Sequence, residues 1–139
     1  MSRPTLKLKK NEDRRLRAGH LWIYSNEIDT VATPLKNFKP DQDVIVVSHD
    51  KKALGIAYVN PHSLISARLL TPSSQDRIDA DFFFKKFENA LALRAQLYAE
   101  PYYRLVFGES DGLPGLVIDR YNQTLVMQLN TAGMDARKD

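Results

Sequence analysis

Lys10, Arg14 and Arg17 stand at i, i+4 and i+7, a spacing that brings three side chains to one face of a helix. Arg15 lies beside that stripe, and Lys7, Lys9 and His20 flank it. Guanidinium groups bind phosphate oxygens in pairs, and a basic helix face followed by aromatics, here Trp22 and Tyr24, is suited to gripping a nucleic-acid backbone. A plainer reading competes: arginines near a helix C-terminus favour the helix dipole on their own, and runs of charge are commonly only solvated.

Other chemistry is sparse. The stretch Gly108–Gly115 holds three glycines and a proline together with Glu109 and Asp111, and Asp119 follows nearby. Three carboxylates could serve a hard cation, yet their spacing matches no calcium loop, and Asp-Gly is first of all a turn. The stretch has neither G-x-G-x-x-G nor the P-loop pattern, so it is no phosphate cradle. His20, His49 and His62 are dispersed, and no serine sits in a G-x-S-x-G elbow. The chain has no cysteine, which excludes disulfides, thiolate metal sites and a thiol nucleophile.

The basic segment needs a frame. Asn11 is placed to cap a helix of one or two turns, Glu12 and Asp13 fall at its positive end, and Gly19 suits the left-handed position beyond it. Trp22–Tyr24 reads as a strand, Ser25–Pro40 as loop with a short strand near residues 27–31, and Val44–Val47 as a buried strand. Ala53–Val59 alternates, with Leu54, Ile56 and Tyr58 on one face and Ala53, Gly55 and Ala57 on the other; small residues there predict close approach of another backbone. Residues 64–70 alternate again, with Arg68 opposite Ile65, Ala67 and Leu69. Short strands with turns between them predict a small β-barrel over residues 1–71. Residues 72–76, polar and broken by Pro72, read as a linker.

Residues 77–139 open with a helix capped by Asp79 or Asp81. Its apolar stripe Phe84, Phe87, Leu91, Ala95 and Tyr98, widened by Phe83, Ala90 and Leu97, is expected to be core, and Glu100-Pro101 ends it. Strands are expected at 103–107, 116–119 and 124–129, with a hairpin turn at Tyr121-Asn122-Gln123. The polar end, residues 134–139, stops where another element would be expected to start.

Charge is uneven along the 139 residues. Residues 1–70 carry 12 Lys and Arg against 7 Asp and Glu, whereas residues 71–139 carry 8 against 10. A polyanion would therefore be drawn to the first half. The 43% apolar and 27% charged fractions are those of a globular protein, and no apolar run approaches a membrane span or a signal-peptide core. A cytoplasmic protein is expected.

The stretch RRLRAGHLWIYS at residues 14–25 resembles the start of the PUA RNA-binding domain in the bacterial large-subunit ribosomal RNA cytosine-5 methyltransferase I family. NPHSLISARLL at 60–70 resembles the closing strands of that domain, and YRLVFGESDGLPGLVIDRY at 103–121 is similar to a block in the family's middle domain. The resemblance implies an α+β chain, a small PUA-like β-barrel followed by a middle domain of strand-strand-helix-strand-strand type over residues 77–139. It implies ribosomal RNA as partner and RNA contacts at Lys10, Arg14, Arg15, Arg17, Gly19 and His20.

Members of the family continue into a domain that binds S-adenosylmethionine and carries a catalytic cysteine, whose thiolate must add to carbon-6 of cytosine before carbon-5 can attack a methyl donor. Lacking both, this chain is expected to be an N-terminal portion, inactive alone, with the Gly108–Gly115 loop facing the methyl-donor domain. An unpaired edge strand where that further domain should start could also promote a homodimer, as an artefact. Two other readings stay open: a standalone RNA-binding or adaptor protein with a protein-docking second domain, and a metal-dependent hydrolase using Glu109, Asp111 and Asp119.

Overall fold

The computed structural model describes residues 2–139. The chain forms two compact units that divide between Asp76 and Arg77, so residues 72–76, read as a linker, fall within the first. Thr71 donates its hydroxyl to Asp76 at 2.6 Å and accepts the Ser73 amide at 3.2 Å, which ties that stretch down.

The first unit is a five-stranded mixed sheet. Its strands are β1 (Thr5–Lys7), β2 (Trp22–Tyr24), β3 (Asp43–Val47), β4 (Ala53–Val59) and β5 (Ile65–Thr71), in spatial order β1-β3-β4-β5-β2. Only β1 and β3 run parallel. The sheet's two edges meet just beyond β1 and β2. Leu8 bridges Ile28, the Lys9 amide donates to the Glu27 carbonyl, and the Asp29 amide donates to the Lys7 carbonyl. That bridge curls the sheet around a core of Leu6, Leu8, Ile23, Ile28, Val44, Val46, Ala57, Val59, Ala67 and Leu69. The strand expected near residues 27–31 is absent. Ser25–Glu27 is a 3-10 turn, and only Ile28 pairs.

β4 departs from simple alternation. Its pairing with β3 skips from Val46↔Gly55 to Val47↔Ala53, which leaves Leu54 in a bulge and sends it to the same core as Ala57 and Val59. The small residue is needed. Gly55 has φ +145°, and a Cβ there would lie 2.1 Å from the Thr71 carbonyl oxygen.

The second unit runs from α2 (Ala80–Leu97) through β6 (Tyr102–Phe107), β7 (Leu116–Tyr121) and β8 (Thr124–Leu129) to the short α3 (Ala132–Asp135). The three strands form an antiparallel sheet in chain order. Helix and sheet make it α+β as expected, but in a different order from strand-strand-helix-strand-strand: here the helix comes first and no strand precedes it in residues 77–79. Asp79 caps α2 by accepting the Phe82 amide at 3.1 Å.

The expected apolar stripe of α2 is core only along the edge that holds Phe83, Phe87 and Ala90. Ala90 is the helix's one buried residue, with Phe83, Phe87 and Arg94 half-buried around it, whereas Phe84 is 60% and Tyr98 51% exposed. Periodicity locates an apolar arc but not how much surface exists to cover it, and a three-stranded sheet covers only a narrow strip. β8 is likewise open, with Leu125, Val126 and Met127 about half exposed.

Candidate nucleic-acid interface

α1 is a single turn, Arg14–Arg17, seated by Leu16 in the barrel core. With 3.6 residues per turn, Arg14 and Arg17 project about 60° apart and away from Leu16. Gly19 (φ +101°) closes the helix: its amide donates to the Leu16 carbonyl and the His20 amide to the Arg15 carbonyl, both at 3.0 Å, the paired bonds of a Schellman motif. The start differs from expectation. Asn11 does not cap the helix; it takes φ +69° in the preceding turn, and Asp13 occupies the cap position with no side-chain cap bond. Asp13 instead accepts the Arg17 Nε at 2.7 Å, and that bond holds its carboxyl below the usual carboxylate range.

Topology brings a second segment to α1. Because β1 and β3 are parallel, with Lys7 opposite Val47, the residues that follow each strand leave the sheet at the same end. The Leu8 amide donates to the Val47 carbonyl at 2.9 Å, so the run into α1 starts beside the β3–β4 turn. Between them lies a cleft of about 280 Å3 lined by Lys10, Asn11, Asp13, Arg14 and Arg17 on one side and Ser48, His49, Asp50 and Lys52 on the other.

The six sequence-predicted residues thus divide. Lys10, Arg14 and Arg17 converge on the cleft, although Lys10 belongs to the turn before the helix and not to the helix itself. Arg15 points elsewhere: its Nη1 donates to Glu27 at 3.1 Å, and its guanidinium lies 5.2 Å from the Tyr24 ring centre. Glu27 is buried and also accepts the Tyr24 amide at 2.9 Å. On the adjoining strands the Arg68 guanidinium sits 5.5 Å over Trp22, so Arg15, Tyr24, Trp22 and Arg68 form a succession of cations and rings. Gly19 and His20 are exposed at the end of α1, outside the cleft lining. His49 and Lys52 escape a reading of the sequence because nothing local marks them; only the parallel β1–β3 pairing places them.

The second candidate, the Gly108–Gly115 loop, is built for structure. Asp111 accepts both terminal nitrogens of Arg94, at 2.5 and 2.9 Å, and the Phe107 amide at 2.7 Å, with both ionic side chains largely buried. Asp119 accepts the Arg104 Nε at 2.8 Å, which lowers its pKa. The Gly112 and Leu113 amides are taken by the Glu109 and Gly108 carbonyls, leaving neither to cradle a cofactor. Among the described residues no group of three or more His, Asp or Glu is arranged to hold a metal ion, and no helix is long and apolar enough to cross a membrane.

Residues 6–72 match the PUA-like domain family. Over 139 aligned residues the chain is 40% identical to ribosomal RNA large subunit methyltransferase I of Shewanella denitrificans, covering 96% of this chain and 34% of that protein. It is 41% identical to the protein of the same name from Vibrio cholerae, again covering 34% of its length. The fold is shared with a candidate SAM-dependent methyltransferase from Streptococcus mutans at TM-score 0.77 and 20% identity, over 96% of this chain and 35% of that one. The chain therefore spans about a third of the length of the curated relatives it matches, and its first unit is a PUA-like domain.

Proposed function

We propose that this chain is the RNA-recognition portion of an S-adenosylmethionine-dependent ribosomal RNA (cytosine-5) methyltransferase. The observation that carries the reading is the convergence of Lys10, Arg14 and Arg17 on one open, polar cleft of a PUA-like domain. Arginine and lysine there can neutralise backbone phosphates, the sequence-independent part of RNA binding. The Arg15–Tyr24 and Arg68–Trp22 stacks on the far side of α1 offer faces on which unpaired bases could pack. The methyl donor and the thiolate that cytosine-5 chemistry requires are supplied, in this reading, by sequence outside these 139 residues, since the chain has no cysteine and its glycine-dense loop is closed on itself. Cytoplasmic ribosomal RNA is the partner.

The test is titration with a ribosomal RNA hairpin, followed by RNA anisotropy and by fluorescence of Trp22, the only tryptophan, across several salt concentrations. Affinity is expected to fall linearly with salt on logarithmic axes, with a shallower slope in Arg14→Ala and Arg17→Ala. No binding at low salt would sink the reading. A second reading, an adaptor whose second unit docks a protein, draws on the exposed Phe84, Leu91 and Leu97 of α2; it would gain if the parent chain bound protein and no RNA.

A further inference from the structure

We infer that the β3–β4 turn forms the second wall of a phosphate site, with Lys52 and His49 facing Lys10 and Arg14 across the cleft and holding one backbone phosphodiester of the RNA. The inference rests on the RNA-binding reading and adds to it two residues from a different part of the chain.

Four observations carry it. First, the parallel β1–β3 pair brings the start of α1 and the β3–β4 turn to one end of the sheet, so the cleft is a product of the fold. Second, the turn is closed by its own hydrogen bonds. The Ser48 amide donates to the Lys52 carbonyl, the Lys51 amide to the Ser48 carbonyl, and the Lys52 amide to the buried Ser48 hydroxyl at 3.1 Å. Lys51 takes φ +63° to close it. His49 and Lys52 therefore stand on a hydrogen-bonded backbone, which lowers the ordering cost of using them.

Third, among the described residues no apolar side chain lines the cleft, and its four cations (Lys10, Arg14, Arg17 and Lys52) face two carboxylates, Asp13 and Asp50. Asp13 is already engaged by Arg17, while among the described residues Lys10, Arg14 and Lys52 make no ion pair. An anion held there would meet three uncommitted cations and one uncommitted carboxylate. Fourth, the site is separate from the Arg15–Glu27–Tyr24 cluster on the other side of α1. The chemistry fits a phosphate: arginine offers paired donors, lysine a point charge, and imidazole a further N–H.

The test compares RNA binding by Lys52→Ala, His49→Ala and Asp50→Asn chains with the parent and with Arg14→Ala. His49, Asp50 and Lys52 are exposed, so folding should not intervene. Lys52→Ala is expected to weaken binding about threefold or more and to reduce the logarithmic salt slope by about 1. His49→Ala should weaken it less. Asp50→Asn should tighten binding about two- to threefold, a gain that misfolding cannot produce. Parent-like binding by all three, with Arg14→Ala weakened, would remove the turn from the site and leave the RNA reading standing. No binding by the parent would remove both. Competition by millimolar inorganic phosphate at constant ionic strength separates the two phosphate sources: RNA that stays bound supports a diester site, displacement from the parent that Lys52→Ala weakens shows that RNA and phosphate share the cleft, and equal displacement from both chains would place the shared site elsewhere and overturn the assignment.

Discussion

Arg14 and Arg15 are adjacent in sequence and are expected to fail differently. Arg15 satisfies buried Glu27; without it that carboxylate keeps, among the described residues, the Tyr24 amide. Arg15→Ala should lower stability by about 1–2 kcal/mol, the cost of an under-bonded polar group at a half-exposed site. Arg14 makes no ion pair among the described residues, so Arg14→Ala should leave the thermal midpoint unchanged and reduce RNA affinity. Melting curves beside anisotropy titrations would check this, and the reverse pattern would refute the division of labour. The Arg104–Asp119 bond gives a pH counterpart. Arg104 lowers the Asp119 pKa below its ordinary 3.8, so the pair's stabilisation is present above that value and is lost as pH falls through the lowered one. Arg104→Ala should therefore be less stable than the parent in urea at about pH 6, and the gap should close as the pH is lowered through the depressed Asp119 pKa. A gap that persists in acid would assign the effect to packing of Arg104 over Phe107 instead.

Two glycines make a corresponding contrast at the level of elements. Gly19 ends α1 at φ +101° with nothing within 4 Å of where an alanine methyl would sit, so Gly19→Ala should cost about 1 kcal/mol through backbone strain alone. Gly55 sits where β4 crosses against the end of β5, and Gly55→Ala must also push the Thr71 carbonyl aside; about 3 kcal/mol is expected. Denaturant midpoints for the two variants would test the order. Gly55 was legible in the sequence, because small residues alternating with large ones in a strand have few other uses. The strands at 53–59 and 124–129 and the Asp79-capped helix were legible for the same reason: each is specified by its own residues. What was not legible depends on partners. The bulge that turns Leu54 inward is set by β3, the exposure of Phe84 by the narrow sheet beside α2, and the meeting of Lys10 with Lys52 by a parallel pairing of strands about 40 residues apart. The basic stripe found by helical spacing did converge, yet for Lys10 the cause is the turn before α1.

At the scale of the whole chain, the surfaces of the two units differ in kind. The first half carries the excess of cations, and its cleft is polar throughout. The second half is net acidic, its Arg94 and Arg104 are bonded to Asp111 and Asp119, and its exposed surface is rich in Phe84, Leu91, Leu97, Leu125 and Met127. A polyanion gains from the first surface and loses hydration on the second without compensation. Amide hydrogen exchange of the intact chain, with and without the RNA hairpin, should therefore show added protection at residues 10–20 and 48–52 and none across α2 or β8. That pattern should fade together with affinity as salt is raised, because both follow from phosphate contacts. Protection centred on α2 or β8 would mean that rings and aliphatic side chains, not the basic cleft, make the principal contact, and the site would have to be moved to the second unit.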